Sequence, residues 1–240
     1  MRIWIARPEP GATRTALRLT GLGHDPLVAP VLAMVATDDA MPVGPFDAVL
    51  VTSANAVAAL AAWAARQDGV AVPVFCVGSR TAWAAREAGL PQVRNARGDA
   101  AALARLVQGT LPAGGRLLHL AGADRKAEPA ASLIAAGYAV TVHVAYAMNA
   151  VPRLPIPVAQ ALGDTGGRAL HAALHYSRRS AETALALAIS AGCGGAFRAL
   201  THYCLSADVA APLVAAGSIT HFVAAQPSEE SILARLSALT

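Results

Sequence analysis

The sequence predicts an α/β protein assembled twice from the same kind of strand–helix unit, and three observations carry that prediction. Short apolar runs alternate with amphipathic stretches along nearly the whole chain, the pattern of parallel strands linked by crossover helices. Runs such as AVLV (48–51) and VFCV (74–77) are apolar without alternation, as strands buried on both faces must be. Segments of the first half also return, in the same order, in the second.

The repeats run as follows. IWIARPEPGATRTALRLTGLGHDPLVAPVL pairs with LLHLAGADRKAEPAASLIAAGYAVTVHVAY, each a strand, loop, helix, Gly and strand. AVLVTSANAVAAL pairs with ALHYSRRSAETAL, each an apolar run ending in a Ser corner before a helix. FCVGSRTAWAAREAGL pairs with YCLSADVAAPLVAAGS, and PQVRNARGDAAALARL with THFVAAQPSEESILARL. Gly23, Gly89, Gly137 and Gly217 follow Ala- or Leu-rich turns, as C-cap glycines do. Two such copies make two lobes of about 110 residues, a common domain size. Two stretches break the rhythm: ATDDAMPVGPFD (36–47), with two prolines and three acids, and NAVPRLPIP (149–157), with three prolines. Both read as extended linkers. They fall after the first unit of each copy rather than at the midpoint.

Composition narrows the function. Hydrophobic residues are 55 % of 240 and charged residues 14 %, so a sizeable core is expected and disorder is not. No run approaches the roughly 20 apolar residues of a membrane span, and the start MRIWIARPEP lacks a signal-peptide core, so a cytoplasmic protein without membrane contact is expected. Net charge is +4, supplied by arginine apart from Lys126. Arg grips carboxylate or phosphate bidentately, which points to an anionic ligand. Aromatics are only 5 % and no arginine stripe interleaves with them, which disfavours nucleic acid. Cys76, Cys193 and Cys204 are too dispersed for a disulfide framework or zinc knuckle.

In open parallel sheets, ligands bind at the carboxyl ends of strands, where loops lead into helix N-termini. The polar residues of this chain gather on such corners: Arg7, Glu9, Thr13 and Arg14; Thr52, Ser53 and Asn55; Ser79, Arg80 and Thr81; Asp124, Arg125 and Lys126; Ser177, Arg178 and Arg179; Ser206 and Asp208. Each of them alone also fits an N-cap. Nucleotide loops of the GxxxxGK[ST] or GxGxxG type and a GxSxG elbow are missing. His171 and His175 have the i, i+4 spacing of a zinc helix, but Ala172 replaces the catalytic Glu and the segment runs into a strand. An enzyme with so little acid–base machinery would act by steering a reactive substrate. On the residues alone, a two-lobed binding protein for an anionic ligand stands beside that reading.

Taken in order, the motifs resemble the uroporphyrinogen-III synthase family. They are Arg7-Pro8 after the first strand, Pro30-Val31-Leu32 at the first crossing, and the Thr52-Ser53 corner. Val77-Gly78-Ser79-Arg80-Thr81-Ala82 follows, then Gly122 ending a strand, Tyr146 at the second crossing, the Ser177 corner, and Pro227-Ser228-Glu229 at a helix start. The resemblance implies two flavodoxin-like lobes joined by a two-stranded linker, lobe one being 1–33 plus 152–240 and lobe two 34–151, with linkers near 33–46 and 147–157. It implies closure of hydroxymethylbilane to a cyclic tetrapyrrole with ring D inverted and water lost, by a lyase of haem biosynthesis working as a monomer without cofactor or metal. The arms of this polycarboxylate would lie in a cleft between the lobes. Tyr146 would assist loss of water, with Thr81 as a second catalytic position. Arg7, Thr52, Ser53, Asn55, Gly78, Ser79, Arg80, Gly122, Ser177, Arg178 and Asp208 would bind substrate. Three positions depart from the family pattern: Leu205 for Gly, Asp208 for Thr, and Ala121 for an Arg before Gly122. They leave a divergent, non-catalytic member as the alternative. An acid such as Asp208 facing a polycarboxylate needs a partner, and Arg178 or Arg179 is at hand.

Overall fold

A computed structural model describes residues 1–66, 72–164, 166–218 and 221–238. The elements in chain order are β1 (Arg2–Ile5), α1 (Gly11–Gly21), β2 (Asp25–Val28), β3 (Leu32–Ala36), β4 (Ala48–Val51), α2 (Val57–Ala64), β5 (Val74–Cys76), α3 (Ser79–Glu87), β6 (Val93–Asn95) and α4 (Ala100–Gln108). They continue with β7 (Arg116–Gly122), α5 (Ala130–Ala135), β8 (Ala139–Ala150), α6 (Ile156–Gly163), β9 (Ala172–His175), α7 (Arg178–Ser190), α8 (Gly194–Arg198), β10 (Thr201–Cys204), α9 (Ala207–Ala215), β11 (His221–Val223) and α10 (Glu229–Ser237). A 3₁₀ turn, Ala54–Ala56, precedes α2. The chain divides into two compact units, Met1–Ala33 with Asn149–Thr240, and Met34–Met148. The strands β3 and β8 carry the chain from one unit to the other.

The first unit holds a five-stranded sheet of order β11-β10-β9-β1-β2, and its described pairings are parallel. One face packs Ile3, Ile5, Leu174 and Tyr203 against Leu19 of α1 and Ile232, Leu233 and Leu236 of α10. On the other, Trp4 meets Phe197 of α8 edge to face, ring centroids 5.8 Å apart. The second unit belongs to a six-stranded sheet of order β3-β8-β7-β4-β5-β6. Val49, Val51, Leu118 and Leu120 pack on Leu60 and Trp63 of α2 and on Ala82 and Ala85 of α3. Ala48, Leu50, Phe75 and Leu117 pack on Leu103 and Val107 of α4 and Leu133 of α5. Because helices cover both faces, every residue of β4, β5 and β9 is buried, which is why these strands read as unbroken apolar runs.

The internal repeat extends to strand order and register. Reading β4, β5, β6, β7 and β8 as the counterparts of β9, β10, β11, β1 and β2 turns one sheet order into the other. Leu50 lies beside Phe75 and His119 as Leu174 lies beside Tyr203 and Ile5. At the helix ends, Gly89 (φ +75°) and Gly217 (φ +85°) take the left-handed conformation that Cβ-bearing residues resist. The second proline-bearing stretch joins the end of one element to the start of the next. β8 continues to Ala150, and Pro155 and Pro157 open α6, because proline's fixed φ suits the first helical positions, where no intrahelical N–H is needed.

Candidate active site at the strand carboxyl ends

In the second unit the parallel strands bring their carboxyl ends, and the helix starts that follow, to one edge of the sheet. Thr52 and Ser53 follow β4, and the Ser53 hydroxyl accepts from the Asn55 N–H at 3.2 Å, capping the 3₁₀ turn. Gly78, extended at φ −150°, leads into α3, whose first residues are Ser79, Arg80 and Thr81. The Ser79 hydroxyl accepts from Asn95 Nδ2 at 3.1 Å, and Asn95 Oδ1 accepts from the Arg97 N–H at 2.9 Å. Thr81 is only 5 % exposed. Sequence reasoning did not single out Asn95, whose signal would have been an amide ending a strand just before a helix.

Gly122 and Tyr146 meet across β7 and β8, where the register shifts. A Cβ on Gly122 would lie 2.7 Å from the Tyr146 ring and 2.9 Å from its hydroxyl oxygen. Only glycine lets the ring lie this close to the backbone. The Tyr146 carbonyl accepts from the Ala123 N–H at 2.9 Å, fixing the strand end that carries the ring.

Below this edge sits a residue that sequence reasoning passed over. His119 of β7, 1 % exposed, places Nε2 3.3 Å from the Thr52 hydroxyl, while its Nδ1 is buried without a partner. Burial, and after it the Arg125 charge, lowers the imidazole pKa to about 4, so it is neutral near pH 7.

The corresponding edge of the first unit is knit by charge. Arg7 Nη1 lies 3.2 Å from Glu229 Oε1 and its guanidinium stacks over the Tyr176 ring at 4.0 Å. Tyr176 and Thr15 donate their hydroxyls to the same carboxylate oxygen, and Arg18 binds the other at 2.8 Å. Burial alone would raise the Glu229 carboxyl, but hydrogen bonds from Thr15, Tyr176 and Arg18 and the Arg7 charge hold it below its usual pKa. Burial pushes the Tyr176 phenol up. The Ser177 hydroxyl caps α7 by accepting from the Ser180 N–H at 3.2 Å. Arg178 bonds Glu182 at 2.8 Å and Asp208 at 3.1 Å, so Asp208 has an arginine as its counter-ion. Ser53, Ser177 and Ser206 are thus caps, each in extended backbone with its hydroxyl on a helix N–H.

His171 and His175 do not form the helical pair that their spacing allows. His171 precedes β9 and accepts the Arg2 N–H, and His175 ends β9 with its side chain buried. His175 Nε2 instead lies 3.1 Å from His202 Nδ1, and His202 Nε2 lies 3.1 Å from the Phe197 carbonyl. Because that carbonyl only accepts, His202 carries its proton on Nε2 and His175 donates to it. Among the described residues no three His, Cys, Asp or Glu side chains group so as to hold a metal ion. Two concavities lie elsewhere: one of about 600 Å³ lined by Thr37, Trp63, Arg66 and His143, and one of about 380 Å³ lined by Arg2, Gln160 and Arg168. Neither includes a residue that the sequence singled out for binding.

Comparison with known proteins covers nearly the whole chain. The family model described as uroporphyrinogen-III synthase HemD matches residues 13–234. The fold is similar to that of uroporphyrinogen-III synthetase from Helicobacter pylori 26695, at 18 % identity, 100 % coverage of both chains and a TM-score of 0.63. A mutant uroporphyrinogen III synthase from Thermus thermophilus matches at 18 % identity over 100 % of this chain and 97 % of its own, with a TM-score of 0.47. A further uroporphyrinogen III synthase from the same organism matches at 20 % identity over 100 % of both chains, with a TM-score of 0.42. No curated protein sequence matches this chain.

Proposed function

The chain belongs to the uroporphyrinogen-III synthase family, and from that premise we infer that it closes hydroxymethylbilane to uroporphyrinogen III, with loss of water and inversion of ring D. The observation that carries this reading is the family match, which runs through both units from residue 13 to 234. The substrate is a linear tetrapyrrole with eight carboxylates. Its terminal hydroxyl leaves from ring A, the azafulvene attacks ring D at its substituted carbon, and the spiro intermediate reopens and recloses. The unaided substrate closes to the wrong isomer, so the protein's task is to hold one conformation, the orientation effect, and to help the hydroxyl depart.

Tyr146 is the residue we assign to that departure. Its phenol donates a proton or hydrogen bond to the leaving oxygen, and Gly122 makes room for the ring. Acetate and propionate arms are taken by Thr52, Ser53 and Asn55, by Gly78, Ser79 and Arg80 at the start of α3, and by Arg7, Ser177 and Arg178, with Asp208 balancing Arg178. The free N–H groups and partial positive charge of helix starts support this assignment. Thr81, buried in the first turn of α3, is the second catalytic position we assign. We further propose that the enzyme is a lyase working without cofactor or metal, a cytoplasmic monomer that binds neither nucleic acid nor membrane. No helix among the described residues is long and apolar enough to cross a membrane.

The test is the product isomer. Enzymatically made hydroxymethylbilane is supplied and the uroporphyrinogens are separated. Type III product is expected; type I alone would overturn the reading, and tight tetrapyrrole binding with no type III product would mark a binding protein instead.

A further inference from the structure

We propose that His119 is a positioning residue for Thr52: its buried Nε2–H donates to the Thr52 hydroxyl oxygen, which leaves the hydroxyl proton directed outward to a carboxylate arm of the substrate. The proposal rests on the synthase reading for the identity of that arm, and on the geometry alone for the His119–Thr52 pair.

Three observations support it. The first is the cost of the residue. Register places His119 of β7 where the first unit has Ile5, a core residue 0 % exposed. An apolar side chain therefore serves the frame at this position. The imidazole instead buries a polar ring with one nitrogen unpartnered, an arrangement that natural cores avoid.

The second is the direction of the bond. A neutral imidazole has one N–H and one lone pair. If Nε2 carries the proton, the orphan at Nδ1 is a lone pair. If Thr52 donated instead, the orphan would be a buried N–H, which is rarer and costlier. The first arrangement is favoured, and in it Thr52 Oγ accepts from below and is free to donate above.

The third is recurrence. Thr52 precedes the Ser53 cap as Tyr176 precedes the Ser177 cap. The Tyr176 hydroxyl is held by Glu229 of α10. Between caps of equal standing, the position of Glu229 in α4 is taken by Ala100, which has nothing to offer. In each unit the hydroxyl that precedes the Ser cap meets a side chain of another element: Tyr176 donates to Glu229 of α10, and Thr52 meets His119 of β7.

The experiment compares His119→Ile, the residue of the first unit, with His119→Gln, whose amide can donate near the Nε2 position, and with Thr52→Val. His119→Ile is expected to fold with an unchanged or higher melting temperature and to raise KM roughly three- to tenfold with little change in kcat. His119→Gln should recover most of that loss, and Thr52→Val combined with His119→Ile should cost no more than Thr52→Val alone. Unchanged KM in a folded His119→Ile, or additive losses in the double variant, would overturn the proposal. Independent of turnover, ¹⁵N NMR of the imidazole should show a neutral ring protonated on Nε2 whose shifts move in Thr52→Val. A ring protonated on Nδ1 would overturn the proposal. If the wild type makes no type III product while the NMR result holds, the synthase reading fails and the pair stands.

Discussion

The two units share strand order and register, yet they use their polar residues differently. In the first, the strand ends are closed by ion pairs: Glu229 gathers Arg7, Arg18, Tyr176 and Thr15, and Arg178 holds Glu182 and Asp208. Its interior also carries the His175–His202 pair where the second unit has Val51 and Val74. The edge of the second unit includes neutral contacts: Asn95 on Ser79, His119 on Thr52, and Tyr146 lying over Gly122. A common frame therefore constrains the apolar positions and leaves the strand ends and a few core positions open to divergence. Chemistry has been added at those places: charge pairs gather around Glu229 and Arg178 in one copy, and uncharged groups meet at Ser79, Thr52 and Gly122 in the other.

The largest expected effect sharpens the contrast in buried histidines. Burial lowers His175 to about 3, with the His202 charge adding to it, and lowers His202 to about 4. Both are neutral when folded and protonate near 6.5 when unfolded. Their contribution is therefore intact above about pH 6.5 and is lost as pH falls from there toward 4, at a cost on the order of 3 kcal/mol per ring. Hydrogen exchange should show the first unit losing protection in acid, and replacing the pair with the valines of the other unit (His175→Val, His202→Val) should flatten that slope. A slope unchanged in the double variant would assign the protons elsewhere.

Next, Tyr146→Phe should lower kcat roughly 100-fold with an unchanged melting temperature, as loss of a general acid does. An unchanged rate would remove the phenol from the mechanism. Glu229→Ala leaves Arg7, Arg18 and Tyr176 without their shared acceptor and should destabilise the protein by about 2 kcal/mol, moderated by partial exposure. Denaturant unfolding checks this, and a loss under about 0.5 kcal/mol would reduce the network to surface pairing. The smallest effect belongs to Arg178→Ala. Its two ion pairs are exposed, so the melting point should hold, while KM rises a few-fold and more at high pH than at low, where the arms are less ionised. KM unchanged at every pH would make it a surface arginine.

Much of the frame was legible beforehand because it depends on local rules. Apolar runs without alternation announced strands covered on both faces, and the glycines after Ala-rich turns announced helix ends. The Ser corners could be seen but not interpreted, since a cap and a ligand contact want the same residue types; the structure shows Ser53 and Ser177 capping. His119 stayed hidden because LLHL reads simply as a strand interrupted by one polar residue. Its meaning depends on Thr52, 67 residues earlier in the chain.

The sequence by itself determined the class, the duplication, the order of the motifs and the family to which they point, since each is written in periodicity, spacing and residue type. Only the tertiary structure decided which polar groups meet. Arg7 with Glu229, Arg178 with Asp208, Thr52 with His119 and Tyr146 with Gly122 are contacts between strands and helices far apart in the chain. Hydrogen bonds and ion pairs require atoms within about 3 Å of one another, and sheet register and helix packing set those distances.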